Sequence, residues 1–253
     1  MALIETEAVV LRTLRYGESD AILTLLTPGT GRVSAIAKGA RKPTSRQGGR
    51  LQPGVRLQAS LVQGRGDLLI MRSSQVVDAG AGLWMDGYRL RAAGCVLEVA
   101  MRVVPEDEEA EAAYNLTTRA LALISTAAPR EGQPRFEPYV LGMQAKLLAA
   151  SGLVPHLASC AACGGPSPLV GFAATAGGAV CPACTVGSGA EALDPDAADA
   201  LVALLARPLA DARECVAPAA AAGVERIIAL MLREHLGVTL KSGTPLEVTS
   251  PRK

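Results

Sequence analysis

Four of the six cysteines in this 253-residue chain form two pairs whose spacing could bind a metal ion. Cys160 and Cys163 make one C-x2-C pair, Cys181 and Cys184 make the other, and seventeen residues separate the pairs. Four thiolates at this spacing suit tetrahedral zinc, and an ion with four protein ligands has no open position for chemistry. The sequence therefore predicts one structural Zn²⁺ held by these four cysteines.

Other interpretations of the cysteines are weaker. Disulfides are disfavoured in a cytoplasmic protein, and a redox dithiol is the remaining alternative. His156 could replace one thiolate, although we expect a surface or packing role for it. Cys95 and Cys215 lie in apolar, helix-like surroundings and are predicted to belong to the core.

Catalytic patterns are missing from the sequence. A base deaminase needs an H-x-E or C-x-E element followed by P-C-x-x-C, whereas here Pro182 lies inside the second cysteine pair and no such element precedes it. No P-loop, dinucleotide fingerprint or Ser–His–Asp pattern occurs either. We therefore predict no catalytic residues and a protein that is not an enzyme.

A second candidate site is a basic stretch, residues 38–56, that could bind a polyanion. No acidic residue occurs anywhere between Asp20 and Asp67. Its glycines and prolines forbid a long helix, so we expect a mobile, extended loop whose cations neutralise phosphates and release counterions. A solvated surface loop without function is the alternative. The predicted DNA-binding residues are Lys38, Arg41, Lys42, Arg46, Arg50 and Arg56.

The net charge of +1 conceals an asymmetry along the chain. Residues 1–80 contain eleven basic and six acidic residues, a net of +5, whereas the remainder contains fourteen basic and eighteen acidic residues, a net of −4. This indicates a charge-dependent partner for the first part only. No apolar run reaches transmembrane length and no signal-peptide pattern opens the chain, so we expect a soluble, cytoplasmic protein without a membrane partner.

The elements that must hold the basic stretch are predicted to be strands. Five short strands with a long excursion between the third and the fourth predict a Greek-key barrel of the OB type, with an SH3-like barrel as the alternative. Tyr16 is the sole aromatic residue before residue 80, so base stacking should contribute little and charge should dominate binding. The predicted strands are 8–16, 20–27, 32–38, 55–61 and 68–77.

Helices are predicted on both sides of the cysteine pairs. One should begin at Pro105. Its first residues would then include the acidic side chains of Glu106, Asp107, Glu108, Glu109 and Glu111, which we expect to stabilise the positive end of the helix dipole rather than to bind a metal. The others are expected at 83–104, 136–150, 194–206, 211–216 and 224–236. The predicted α+β multidomain chain comprises an OB-fold domain (1–80), a helical domain in two parts (81–155 and 188–245), a zinc-binding insertion (156–187) and a tail (246–253).

Several short motifs, in this order, resemble one protein family. They are Y-G-E-S-D at 16–20, A-K-G-A-R-K-P at 37–43, L-Q-P-G at 51–54, G-L-V-P at 152–155 before the first cysteine pair, and L-G at 236–237 before L-K-S at 240–242. Together they resemble the bacterial recombination-mediator and DNA-repair family RecO over nearly the full length of the chain.

The resemblance implies an OB domain, a helical domain and a zinc ribbon. It also implies a nucleoid-associated protein that binds single- and double-stranded DNA, anneals complementary strands, and helps to load RecA together with RecR and single-stranded-DNA-binding protein. The acidic tail of the latter would bind the helical domain, although no motif identifies the residues.

Two other functions remain open at this stage. An RNA-binding OB protein of the translation machinery would use the same basic stretch on folded RNA, and competition between single-stranded DNA and structured RNA would separate the two. A zinc-ribbon nucleic-acid enzyme would reveal itself by turnover of a nucleic acid.

Overall fold

The computed structural model of the chain describes residues 3–42, 45, 49–64, 66, 68–166 and 168–242. Among the helices in these ranges, none is long and apolar enough to span a lipid bilayer. The predicted tail at 246–253 lies outside the described residues, as do Arg46 and part of the predicted basic loop.

Five strands close into a barrel in the order β1-β2-β3-β5-β4. The β3–β5 pair is parallel and the other pairs are antiparallel, as in a five-stranded Greek-key OB barrel. The prediction of an OB-type barrel is therefore confirmed. The strands are β1 (Leu3–Tyr16), β2 (Asp20–Thr27), β3 (Gly31–Ala37), β4 (Arg56–Gln63) and β5 (Leu69–Asp78).

Alternating burial explains why these segments are strands. On β4 the side chains of Leu57, Ala59 and Leu61 fill the barrel interior, while Gln58 between them is exposed. Burying each leucine in this way contributes about 1.5–3 kcal/mol. The strand β1 begins five residues before the predicted start because its polar first part pairs with β4 in an unbroken register from Leu3 onwards.

The middle of β1 also joins the barrel to the helices. Val10 packs inside the barrel, whereas Val9 and Leu11 belong to the apolar core of the helical part. Successive side chains of a strand point to opposite faces, so this part of β1 is buried on both of its faces. The barrel is thus attached to the helices by shared apolar packing.

The helical part packs around one buried helix. In α3 nearly every side chain is buried, and α1, α2, α5 and α7 pack against it. The principal helices are α1 (Gly87–Val103), α2 (Glu111–Thr126), α3 (Pro138–Ala150), α5 (Pro195–Ala206) and α7 (Ala221–Leu236), with short α4 (Pro182–Thr185) and α6 (Ala212–Cys215) between them.

The predicted start of α2 at Pro105 is wrong. The backbone N–H of Arg32 donates to Pro105 O over 3.1 Å, and that of Ala110 donates to Pro28 O over 2.9 Å, so residues 105–110 are bound to the barrel instead. Asp107 adopts a left-handed conformation with φ 58°, which a helix does not accommodate. Of the acidic cluster, only Glu111 lies in the first turn of α2.

The cysteine segment forms a small sheet of its own. Strands β6 (Gly171–Ala173), β7 (Gly178–Val180) and β8 (Glu191–Ala192) pair antiparallel in the order β7-β6-β8. Phe172 of this sheet is buried in the helical core. The division of the chain into an OB-fold domain, a two-part helical domain, a zinc-binding insertion and a tail stays a prediction.

Candidate nucleic-acid interface and metal centre

The first half of the basic stretch is a turn fixed to the β1–β2 connection. The backbone N–H of Gly39 donates to Asp20 Oδ1 over 2.7 Å, and that of Arg41 donates to Ser19 O over 2.8 Å. Gly39 has φ +66°, a left-handed conformation that glycine adopts readily. The turn leaves three cations exposed to solvent, namely Lys38, Arg41 and Lys42.

Asp20 is the carboxylate that holds this turn. The hydrogen bond from the Gly39 backbone N–H lowers the pKa of Asp20 below its ordinary value, and the Ser19 hydroxyl and the charges of Lys38 and Lys42 act in the same direction. Asp20 is therefore ionised at neutral pH and fully engaged by the turn. Asp20 holds the turn in place through the Gly39 backbone N–H and forms no ion pair with Lys38, Arg41 or Lys42.

The second half of the basic stretch runs along β1. Thr13 Oγ1 donates to Leu51 O over 2.5 Å, Gly54 N donates to Val10 O over 2.8 Å, and Val10 N donates to Val55 O over 3.0 Å. Leu51 is also buried in the barrel core, as is Ala40 from the first half. The prediction of an extended loop is therefore wrong for 38–42 and 49–54, because turns and buried anchors fix both parts.

The six predicted DNA-binding residues do not form one group. Lys38, Arg41 and Lys42 lie together on the turn, and Arg50 is exposed farther along the stretch. Arg56 pairs with Val9 in the barrel wall, beside a cavity of about 90 Å³ that α2 also lines. Its Nε is buried and has no hydrogen-bond partner among the described residues. Arg46 lies outside the described residues.

One neighbouring surface was missed by the sequence reasoning. Arg12, Leu14 and Tyr16 lie on the outer face of β1, opposite Thr24, Ile22 and Asp20 of β2. Tyr16 and Gly39 thus both lie next to Asp20, so this face adjoins the basic turn. The i, i+2 spacing of Arg12, Leu14 and Tyr16 in the sequence is the signal that predicts a shared strand face.

The four predicted metal ligands do come together. The sulfur atoms of Cys160, Cys163, Cys181 and Cys184 all lie within 4.8 Å of one another. Two of them from different pairs, Cys163 Sγ and Cys181 Sγ, are 3.9 Å apart. Tetrahedral Zn–S bonds of about 2.3 Å would place neighbouring sulfurs about 3.8 Å apart. The group could therefore hold one metal ion.

The protonation of these thiols also fits a cation. A hydrogen bond from the Cys181 backbone N–H lowers the pKa of Cys160 to about 6. Hydrogen bonding to Cys181 and the other two thiols raises the pKa of Cys184 to about 12. Because sulfur atoms this close oppose each other's ionisation, a bound cation would be needed to keep all four as thiolates. His156 lies apart from the group, with Nε2 2.8 Å from Ser159 Oγ.

A cleft on the helical part, about 390 Å³ in volume, is a third candidate site. It lies along α7 and the segment that follows it. Within the part of the chain that the structure describes, Gln144 Oε1 at its wall is buried without a hydrogen-bond partner. Three arginines outnumber two carboxylates in its lining, which also carries apolar side chains. The charged residues are Arg135, Arg226, Arg233, Glu191 and Glu225, and the larger apolar ones are Phe136, Ile228, Leu230, Leu232, Val238 and Leu240.

Together these features define an OB-barrel protein with a basic surface and a metal-binding cysteine segment. The family models described as "Recombination protein O N terminal" and "Recombination protein O C terminal" match residues 1–79 and 85–244. The chain belongs to the RecO family of DNA repair proteins.

Individual relatives agree over most of the chain. A protein named DNA repair protein RecO from Anaeromyxobacter sp. (strain K) is 35% identical over 255 residues, covering 98% of this chain and 97% of the relative. One of the same name from Streptomyces griseus is 33% identical over 250 residues, with 96% and 98% covered. Another from Streptomyces coelicolor is 35% identical over 213 residues, with 81% and 83% covered.

Proposed function

We propose that this protein is a recombination mediator that binds single- and double-stranded DNA chiefly through residues 38–56 of its barrel, the basic segment. The observation that carries the proposal is the fixed turn that exposes Lys38, Arg41 and Lys42. Within the described ranges none of the three forms an ion pair with a carboxylate. Cations that are already positioned and form no ion pair bind phosphate without first breaking one.

Strand annealing follows from the same charge. Two complementary strands repel each other through their phosphates, and a protein that neutralises part of that charge allows them to approach. The basic turn needs no contact with base edges for this, so it would leave the bases free to pair. Annealing would therefore require the cations and depend little on DNA sequence.

The partners proposed are RecR and single-stranded-DNA-binding protein, with which the protein would help to load RecA. The cleft beside α7 suits the acidic, Phe-ended tail of the latter. Arg226 and Arg233 would bind its carboxylates, apolar residues such as Leu232 would contact its phenyl ring, and Gln144 Oε1 offers an acceptor to a backbone N–H of the peptide.

An anisotropy titration with a labelled tail peptide tests this assignment of the cleft. Arg226→Glu should weaken peptide binding at least tenfold, whereas Arg119→Glu, an exposed reversal on α2, should not. Equal affinity of the Arg226→Glu variant and the unmodified protein for the peptide would show that the tail does not bind in this cleft.

We also propose that the bound metal is zinc and that its role is structural. Four thiolates favour zinc over oxygen-seeking cations, and four protein ligands leave no position for a substrate or a reactive water. The apolar cluster around the cysteines is small, so metal binding would supply much of the stability of this segment. We accordingly propose no enzymatic activity.

The DNA site is tested by paired charge reversals in the intact chain. Lys38→Glu with Arg41→Glu should reduce the affinity for single-stranded DNA on the order of tenfold or more and abolish annealing. Arg91→Glu with Arg119→Glu makes the same change in net charge on exposed positions of α1 and α2 and should leave both nearly unaltered. Equal losses in the two variants would show that only net charge matters and would contradict the site.

A further inference from the structure

The only tryptophan of the chain, Trp84, is 46% exposed. It ends a 3₁₀ turn, Ala81–Trp84, that connects the barrel to α1. The next residue, Met85, is 74% exposed as well. Tryptophan side chains are highly buried on average, so an exposure of nearly half needs an explanation.

The turn that carries Trp84 is firmly fixed to the barrel. Gly80 N donates to Asp78 Oδ1 over 2.9 Å, and Leu83 N donates to Gly80 O over 2.9 Å. Leu83 is fully buried, and its Cδ1 lies so close to Gly54 that a Cβ there would be only 3.2 Å away. The position of Trp84 is therefore set relative to the basic segment, to which Gly54 belongs.

Trp84 and the basic segment form the walls of one open groove, about 410 Å³ in volume. Arg50 lines it from the basic segment, and Val76 and Ala79 line it from the end of the barrel. Arg50 is exposed, and among the described residues it forms no ion pair. No carboxylate is found among the described residues that line the groove, which are Gly49, Arg50, Gln52, Val55, Val76, Ala79 and Trp84.

We propose that this groove is a base-stacking site for single-stranded DNA. One base would stack on the indole of Trp84 while Arg50 binds a neighbouring phosphate, an inference that rests on the DNA-binding function proposed above. The combination of an unpaired cation, an exposed ring and a lining without negative charge complements a nucleotide. It also revises the expectation that stacking contributes little, because the ring comes from outside residues 1–80.

The site would distinguish single strands from duplexes. In a duplex each base already stacks on its neighbours and faces its partner, so Trp84 would find no free base surface. In a single strand every base has a free π-face, and stacking on an aromatic residue tolerates any sequence. The groove would therefore favour single-stranded DNA, while the basic turn binds the phosphates of both forms.

Because Trp84 is the only tryptophan, the intrinsic fluorescence of the intact protein tests the proposal directly. Titration with a thymidine oligonucleotide should quench this fluorescence, and a duplex of equal length should not. In anisotropy measurements, Trp84→Ala should weaken single-strand binding by roughly 5- to 100-fold with duplex binding unchanged, and Trp84→Phe should retain most of the affinity.

Met85→Ala provides the matched control, since it removes an exposed apolar side chain from the next residue without removing a ring. It should bind single strands like the unmodified protein. Unchanged fluorescence on saturation with the oligonucleotide, or full affinity of the Trp84→Ala variant, would overturn the stacking site. Quenching by added RecR but not by DNA would overturn it too and identify a protein-docking surface.

These outcomes separate the stacking site from the wider function. Trp84→Ala should leave the salt dependence of binding unaltered, because it removes no phosphate contact. If Trp84→Ala binds DNA normally while the Lys38→Glu, Arg41→Glu variant does not, the stacking site is contradicted and DNA binding by the basic turn is supported. If both variants bind DNA normally, the stacking site and the DNA-binding function proposed for the barrel are both contradicted.

Discussion

The arginines of the helical part and those of the basic segment are used in opposite ways. Arg213 on α6 donates to both carboxylate oxygens of Glu137 over 2.9 and 2.8 Å, donates to Ala128 O, and lies over the Tyr139 ring. Arg41 on the barrel reaches only the backbone carbonyl oxygens of Gly17 and Glu18, both at 3.4 Å. The first arginine stabilises the fold, whereas the second is available to a ligand.

This difference teaches that an arginine's neighbours decide its role. In the helical part, the arginines at 89, 207 and 213 form ion pairs. At the basic turn, residues 38–42, the carboxylate of Asp20 is instead engaged by the backbone N–H of Gly39. Local absence of acid therefore indicates a binding surface better than net charge does.

The largest effect on stability should come from the metal centre, which, like Arg213, is expected to stabilise the fold rather than to bind DNA. Cys160→Ser with Cys163→Ser removes two ligands and should remove ~10 kcal/mol or more of metal-dependent local folding free energy. Proteolysis should then cut within 156–187, while single-stranded DNA binding by the barrel persists. Cys215→Ser, outside the metal group, is the control, and the absence of stoichiometric zinc from purified protein would contradict this prediction.

The next largest effect should come from the Arg213–Glu137 pair. Arg213→Ala leaves the carboxylate of Glu137, which is 1% exposed, without its cation and should destabilise the protein by about 3–5 kcal/mol. Thermal or urea unfolding measures this loss, and DNA affinity should be unchanged in folded protein. Arg207→Ala removes two ion pairs at the surface, with Asp211 and Glu214, and should have little effect. A lower DNA affinity of folded Arg213→Ala protein would contradict the claim that this arginine stabilises the fold and takes no part in DNA binding.

The sequence predicted the barrel and the metal group because their signals are local. Alternation fixes β2 and β4 without knowledge of the remaining chain, and the two C-x2-C pairs each place two thiols within reach of one ion. Asp194 followed by Pro195 likewise marked the start of α5 correctly.

The failures involve contacts between residues distant in sequence. Nothing near Pro105 shows that residues 105–110 will bind the edge of the barrel instead of starting α2. Nor does the sequence around Arg56 show that its Nε will be buried against the helices, away from Lys38. The groove at Trp84 combines residues on both sides of the predicted domain boundary, so a division at residue 80 concealed it.

A smaller effect should be seen in the turn itself. The pKa of Asp20 is lowered from 3.8, so its charge stabilises the fold above that pH, and the contribution is lost as the pH falls through the lowered pKa. In Asp20→Asn this contribution is missing, so its melting temperature should fall less than that of the unmodified protein as the pH decreases below about 3.8. Parallel pH profiles of the two proteins would show that the Gly39 turn does not depend on this charge.

The dependence of single-stranded DNA affinity on salt tests the central claim most directly. If Lys38, Arg41, Lys42 and Arg50 each neutralise one phosphate, log K should fall with log salt at a slope of roughly −3, or more steeply if Arg46 contributes. Lys38→Glu with Arg41→Glu should flatten that slope by about 1.5 or more, and Arg91→Glu with Arg119→Glu should not change it. A slope that is the same in the unmodified protein and in the Lys38→Glu, Arg41→Glu variant would show that DNA does not bind the basic turn.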